Sequence, residues 1–325
     1  MQSRDAHFIG VDVGGTKVAA GLVNSAGEIT HHTRVPMVVT DANAALAVVV
    51  SAIDSVLNAT NHAEPLHVPV SGIGICAPGP LNPHTGVIVN PPNLPAWRNF
   101  PLACEITKVY KLPVRIDNDG NAAALAEALW GAGRGYKNAF CATIGTGIGT
   151  GIICNCHIYH GRTGAAAEGG HNSIDYRGPR CGCGKLGCIE AHASGPAIAR
   201  RAAEKIRAGS RSLILDYAQA CPDRVTSEMV GRAYAAGDAL AKEVLEQTAE
   251  YLAIWLGNII DLLEPDVIIV GGGAGAMLQP FFDYIRNRLP TWCINSQCQE
   301  IPLVPARYGA DAGIAGGAAL CRANA

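Results

Sequence analysis

Apolar positions along this chain follow two rhythms, short unbroken runs bounded by glycine and longer stretches at helical spacing. His7-Phe-Ile-Gly-Val-Asp12-Val is a run of the first kind. Gly14-Gly15-Thr16-Lys17 turns it and Val18-Ala-Ala-Gly-Leu-Val23 returns, so residues 7–38 are predicted as strand, glycine turn and further strand. Residues 42–60 carry alanine and branched aliphatics at helical spacing and are predicted as a helix. A strand is expected over 68–77, stopped by Pro78-Gly79-Pro80, then an ordered loop over 82–101, whose five prolines leave little periodicity. A short helix over 104–110 and a strand over 114–116 follow.

The second half reopens in the same way. Residues 138–144 form an apolar run, Gly145-Thr146-Gly147-Ile-Gly-Thr-Gly151 turns it, and Ile152-Ile-Cys-Asn-Cys156 returns. Strand, glycine–threonine hairpin, strand, then helices and more strands thus occurs twice, which predicts two similar lobes with a cleft between them. Ser194 is expected to cap a helix reaching Arg207, and Asp238 a longer one with the stripe Leu240, Val244, Leu245, Leu252, Leu256, Ile259, Leu263. Pro265 ends that helix, Val267-Ile-Ile-Val270 is a buried strand, and 309–322 reads as a final helix.

Chemistry gathers where the periodicity breaks. Within 18 residues, His171, Cys181, Cys183 and Cys188 supply one imidazole and three thiolates, the donors of a closed structural zinc site. Gly182, Gly184 and Gly187 let the chain turn tightly enough for the sulfurs to converge. The spacing is not a common zinc-finger spacing, and buried thiols beside a coincidental histidine are the plainer alternative. A saturated zinc has no need of Glu168 or Glu190, which the knot would bring together.

Asp12-Val-Gly14-Gly15-Thr16-Lys17 joins a strand-end carboxylate to bare amides that can form an anion nest, although an ordinary hairpin accounts for the stretch alone. No Walker A sequence occurs in the chain. The loop Gly145-Thr146-Gly147 repeats the chemistry, and two such loops would grip a polyphosphate. Gly271-Gly272-Gly273-Ala-Gly-Ala276 fits the dinucleotide fingerprint, but it comes late, follows no run of βαβ units and lacks an acidic residue at the usual distance. A flat glycine surface for an adenosine is the better reading; a nicotinamide-dependent oxidoreductase is the rival. Asp117-Asn118-Asp119-Gly120-Asn121 precedes an alanine-rich helix. One cap is enough there, so Asp119 is assigned a second task.

Composition narrows the class. A net charge of −2 offers no footprint for nucleic acid or an anionic membrane. The run Tyr251–Leu263 is broken by Asn258 and Asp261 and is too short to span a bilayer. No apolar segment follows Arg4 and Asp5, so no signal peptide is expected. The twelve cysteines, three of them in the knot and Cys76, Cys104, Cys141, Cys154 and Cys156 in or beside apolar runs, fit a reduced, cytoplasmic compartment.

With these loops in order, the chain resembles the ROK family (repressors, open-reading-frame proteins and sugar kinases) of the actin-like ATPase superfamily, nearly end to end. The most specific match is Glu168, Gly170-His171, Cys181-Gly-Cys183-Gly184, Gly187-Cys188 and Glu190. Asp12–Lys17 is similar to the family's first phosphate loop, Gly145–Gly151 to the second, Gly271–Gly273 to the adenosine loop, and Asn118–Glu127 to the segment with the catalytic aspartate. Asn93-Leu-Pro-Ala-Trp97 resembles the sugar-lobe motif of the family's bacterial glucokinases. Gly169 departs from the usual Ile or Leu, and Gly120 from a frequent Ala.

The resemblance implies an α/β, two-lobed, ribonuclease H-like fold. A small lobe would take 1–117 plus 309–325, and a large lobe 118–308 would hold the zinc motif 171–188. It implies transfer of the γ-phosphoryl of ATP to the 6-hydroxyl of glucose, with Asp119 as general base. Gly79, Asn93, Asn118, Glu168, His171 and Glu190 would bind the sugar, and His171 would also ligate zinc. Asp12 would hold Mg²⁺, and the partner would be a second copy in a homodimer. N-acetylglucosamine and N-acetylmannosamine kinases of the family share these motifs. A repressor would need a helix-turn-helix segment before Asp12, for which no room is expected.

Overall fold

The computed structural model of the chain describes residues 6–62 and 69–322; Arg4, Asp5 and Val68 lie outside the described residues. In chain order the elements begin with β1 (His7–Val13), β2 (Lys17–Val23), β3 (Ile29–Pro36), α1 (Ala42–His62) and β4 (Val70–Ala77). They continue with β5 (Leu81–Asn82), β6 (Val87–Ile88), α2 (Leu102–Tyr110), β7 (Val114–Asn118) and α3 (Asp119–Trp130). Next are β8 (Ala139–Ile144), β9 (Ile148–Cys154), β10 (His157–Ile158), α4 (Ile189–Ala193), α5 (Gly195–Arg207), α6 (Leu213–Tyr217) and α7 (Ser227–Ala235). The last are α8 (Ala239–Leu263), β11 (Val267–Gly271), α9 (Gly273–Leu278), α10 (Phe282–Trp292), β12 (Leu303–Pro305) and α11 (Ala312–Arg322). Sheets with helices packed on them make a mixed α/β fold.

Two compact units divide the chain. The first takes the residues up to Lys137, then Gly151–Ala167 and those from Tyr308 onward; the second takes Asn138–Thr150 and Glu168–Arg307. Residues 118–137 and 151–167 therefore pack with the first unit, on the other side of the lobe boundary drawn from sequence. The reason is that α3 lies against the C-terminal helix α11, and β10 lies against α3.

In the first unit the strand order is β3-β2-β1-β4-β7. Strands β1, β4 and β7 are parallel, and β1–β2 and β2–β3 are antiparallel. Strands β1 and β4 are almost continuously apolar because helices cover both faces. Ile9, Val11 and Val13 point to one side and join Ala45, Val49, Ala52, Ile53 and Val56 of α1 in the core. On the other face Gly10 and Gly74 admit the α11 backbone directly. A Cβ at Gly74 would lie 1.7 Å from the Gly317 carbonyl oxygen. Helix α1 holds the chain's long apolar window, Ala42–Thr60, by length and composition enough for a membrane span. Here that helix packs its buried stripe on β2 and β3.

The second unit repeats the plan: β9, β8, β11 and β12 lie side by side, with β8, β11 and β12 parallel. The expected duplication is present as topology. The long helix α8 starts where Asp238 accepts a hydrogen bond from the Ala241 N–H at 2.8 Å, and it ends at Glu264 in the left-handed region. Its stripe is buried except for Leu263, which is 39% exposed. Helix α10 and strand β12 had no sequence prediction; Pro290 inside α10 masks it. The 82–101 segment is ordered around Trp97, whose ring stacks on Phe100 and donates to the Ala42 carbonyl at 3.1 Å. Cys104 and Cys154 are exposed on the outward faces of α2 and β9, and Cys156 is exposed in the turn between β9 and β10, although all three sit in or beside apolar runs.

Candidate active site

In the first unit, β1 ends at Asp12 and the chain reverses through Gly14–Lys17, closed by the Gly14 N–H to the Lys17 carbonyl at 2.9 Å. Asp12 is largely buried and accepts a hydrogen bond from the Cys76 thiol at 3.6 Å. Burial pushes its carboxyl above the ordinary value, against the pull of that thiol, Lys17 and Arg34. Burial also pushes the Cys76 thiol well up, so it stays a donor. Thr16 and Lys17 are exposed. Gly15 has a definite reason: its Cβ position lies 2.6 Å from the Asn93 carbonyl oxygen. The hairpin and the Asn93–Trp97 loop therefore touch backbone to backbone.

Strand β7 delivers Asp117, Asn118 and Asp119 to one turn. Asn118 caps α3, its Oδ1 accepting from the Gly120 N–H at 2.9 Å, and Asp119 Oδ1 accepts from the same N–H at 2.9 Å. Asp119 is exposed at the helix start. Gly79 sits beside this turn, its Cβ position 3.5 Å from Asn118 Nδ2. Two members of the segment turn inward. Asn121 is buried and donates to Asp117 at 3.0 Å. Glu127, also buried, accepts from the backbone N–H groups of Ala132 and Tyr308 at 2.8 and 3.0 Å.

In the second unit, His171, Cys181, Cys183 and Cys188 place one donor atom each within 4.8 Å of all the others. Cys181 Sγ lies 3.6 Å from His171 Nδ1, and Cys183 Sγ lies 3.7 Å from Cys188 Sγ. Glu190 is adjacent: Oε1 lies 3.5 Å from Cys181 Sγ and 3.9 Å from His171 Nδ1. Its other oxygen accepts from the Ile148 N–H at 2.9 Å and lies 2.6 Å from the Cβ position of Gly147. One carboxylate thus ties the Cys/His cluster to the second glycine hairpin, a link no sequence spacing announces. Glu168 is exposed and its carbonyl accepts from the His171 N–H at 3.1 Å. Gly169 is small for a reason: its N–H donates to Thr150 Oγ1 at 2.9 Å, and that atom lies 2.9 Å from its Cβ position.

The second hairpin turns through Gly145–Gly147, and the Gly145 carbonyl accepts from the Gly195 N–H at 2.8 Å. Gly271 ends β11, and Gly272 takes φ +82° with its Cβ position 2.3 Å from the Ile144 carbonyl oxygen. These two loops meet at a cavity of about 380 Å³, lined by Gly145, Thr146, Gly273, Pro196, Glu228 and Met277 among others. Sequence reasoning brought Gly145, Thr146 and Gly273 to it and missed the residues from α5 and α7 and Ala274 and Met277 of α9. Thr226 capping α7 was the available signal. Glycine-rich backbone, an apolar thioether and one carboxylate suit a flat heteroaromatic base with an exocyclic donor.

Two sheets of one topology, each with a glycine hairpin between its first two strands, define a duplicated α/β protein. The ROK family model matches residues 8–324, and the chain belongs to the ROK family. It is 36% identical to a glucokinase of Halalkalibacterium halodurans, over 98% of this chain and 96% of that one. Among solved structures it is similar to a ROK family glucokinase of Streptomyces griseus in complex with glucose and AMPPNP. There the TM-score is 0.81 and identity 32%, over 98% of this chain and 99% of that one. A ROK family transcriptional regulator, a homolog of the E. coli MLC protein, superposes at TM-score 0.86 and 30% identity, this chain covering 78% of its length.

Proposed function

We propose that the chain is a glucokinase: an ATP-dependent kinase that phosphorylates the 6-hydroxyl of glucose. The observation that carries this is the end-to-end likeness to glucokinases at 36% identity. The site chemistry agrees with it. Phosphoryl transfer asks mainly for positioning and charge neutralisation, which glycine-hairpin amides and fixed carboxylates supply. Asp119, exposed at the start of α3, accepts the proton of the attacking hydroxyl. Asn93, Asn118, Glu168, His171 and Glu190 hold the remaining hydroxyls, and the backbone at Gly79 meets the ring. Gly14–Lys17 and Gly145–Gly147 take the phosphates of ATP, and Gly271–Gly273 with the cavity beside them takes the adenosine.

Two metals belong to this reading. Zinc–sulfur bonds of about 2.3 Å and zinc–nitrogen bonds of about 2.0 Å set tetrahedral edges of about 3.8 and about 3.5 Å. The Cys183–Cys188 and Cys181–His171 separations, 3.7 and 3.6 Å, fit those edges. His171 Nδ1 faces the sulfurs, which leaves Nε2 for the sugar, and a four-ligand zinc there is structural. Burial disfavours the charged form of the Asp12 carboxylate, and a hydrated Mg²⁺ held there would offset that cost and neutralise phosphate charge. The actin-like fold, the cytoplasmic location, a homodimer, and the absence of nucleic-acid or membrane partners complete the proposal. For the last of these, α1 is engaged on its own sheet.

A transcriptional regulator shares this fold at TM-score 0.86, so the fold does not separate catalysis from regulation; turnover does. The test is ADP release from Mg-ATP across glucose, mannose, N-acetylglucosamine and N-acetylmannosamine, with polyphosphate as an alternative donor. Glucose is expected to be preferred, and D119A to lose about 10²–10⁴-fold in kcat while still binding glucose. Preference for an N-acetylated sugar overturns the substrate. No turnover on any sugar by zinc-loaded protein overturns the kinase.

A further inference from the structure

Asp117 is an aspartate with no assigned role in the proposed chemistry, yet its carboxylate is the hub of the turn that precedes α3. It is 2% exposed. Oδ1 accepts from the Asn118 N–H at 2.7 Å and from the Asn121 side-chain amide at 3.0 Å, so one oxygen grips the turn on both sides of Asp119. Oδ2 is bonded to His160 Nε2 at 2.5 Å. His160 follows β10 and is brought to Asp117 only by the fold. One buried carboxylate thus accepts two donors from the turn on one oxygen and meets the His160 ring on the other, a bond that is stronger when the ring is cationic.

We propose that His160 is a positioning residue for phosphoryl transfer: its imidazolium holds Asp117, and Asp117 holds Asn118 and Asp119 in the geometry the attacking hydroxyl requires. The proposal rests on Asp119 being the general base. His160 can exchange its proton, because the pair lines a cavity of about 650 Å³ within the first unit. The polar groups facing it there are His84, Arg115, Cys156 and His157. The His84 ring meets it edge-on at 5.7 Å, and His157 is engaged with the Asn155 carbonyl at 2.7 Å. From α3 and α11 the lining is Leu125, Leu129 and Leu320, which carry no charge. The hydrogen bond to Asp117 holds the His160 pKa above its ordinary value, against partial burial.

The sign follows from that direction. Below pH 6.5 the ion pair is complete; as pH rises through the raised value the imidazole turns neutral and keeps only an uncharged hydrogen bond. The kcat is then expected to step down about five- to tenfold to an alkaline plateau, since a charge-assisted bond is about twice as strong as a neutral one.

The experiment is kcat and KM for glucose between pH 5.5 and 9 in the wild type, H160Q and H160R, with zinc and Mg-ATP present. The wild type is expected to show the step in kcat rather than KM. H160Q is expected to sit on the lower plateau at every pH, and H160R, cationic throughout, to lose the step from the upper one. A ring-proton titration of His160 in the wild type reads the same midpoint and does not depend on either variant folding. A wild type without the step, or a step that survives in both variants, overturns the proposal. D119N separates it from the base assignment: wild-type turnover in D119N ends that assignment, whereas an inactive D119N beside a flat wild-type profile ends the role of His160 alone.

Discussion

The two glycine hairpins occupy one topological position and are held by different means. Gly14–Lys17 is braced by main chain, its Gly15 pressed against the Asn93 carbonyl. Gly145–Gly147 is braced by a side chain, Glu190, which reaches the Ile148 N–H from beside the Cys/His cluster. Strand order and turn are common to the two units, while the anchoring differs between them. The first hairpin is therefore coupled to the loop assigned to the sugar, and the second to the cluster assigned to zinc. Order in the second hairpin should depend on the metal; order in the first should not.

Chelation tests that asymmetry most severely. With the proposed zinc removed, thiols 3.7 Å apart lose their common partner, and a fall in Tm of roughly 10 °C or more is expected. Hydrogen exchange should then speed up at the Ile148 amide and stay unchanged at Gly14; equal acceleration at both would abolish the distinction. A smaller effect should separate G15A from G147A. The added methyl in G15A meets backbone that cannot yield, whereas in G147A it meets the end of a glutamate side chain. Overpacking costs about 1–3 kcal/mol, and urea unfolding is expected to place G15A at the upper end and G147A at the lower. The reverse order would mean that Glu190 is the more rigid brace.

The smallest effect belongs to E190Q. The amide oxygen still accepts from Ile148, so the loss is about 1 kcal/mol in stability. Its reading is kinetic: the KM for glucose is expected to rise several-fold with the KM for ATP unchanged. A rise confined to ATP would assign Glu190 to the hairpin alone.

Local patterns carried much of this molecule. The stripe Leu240–Ile259 announced α8 because one helical face must be buried, and the glycine–threonine turns announced both hairpins because only a short backbone turn closes adjacent strands. The four zinc-type donors lay within 18 residues, so their convergence was a local matter. Helix α10 was hidden by Pro290, and the α5, α7 and α9 walls of the 380 Å³ cavity were illegible because each supplies only two or three residues to it.

What sequence by itself determined was most of the elements, the Cys/His cluster and the glycine turns, all of which depend on neighbours along the chain. Only the tertiary structure decided that 118–137 packs on the C-terminal helix, that Glu190 braces a hairpin 42 residues before it, and that His160 pairs with Asp117 across 43 residues. Hydrogen bonds and ion pairs of that kind are fixed by where the packed sheets and helices bring side chains within about 3 Å, and no spacing along the chain encodes that distance.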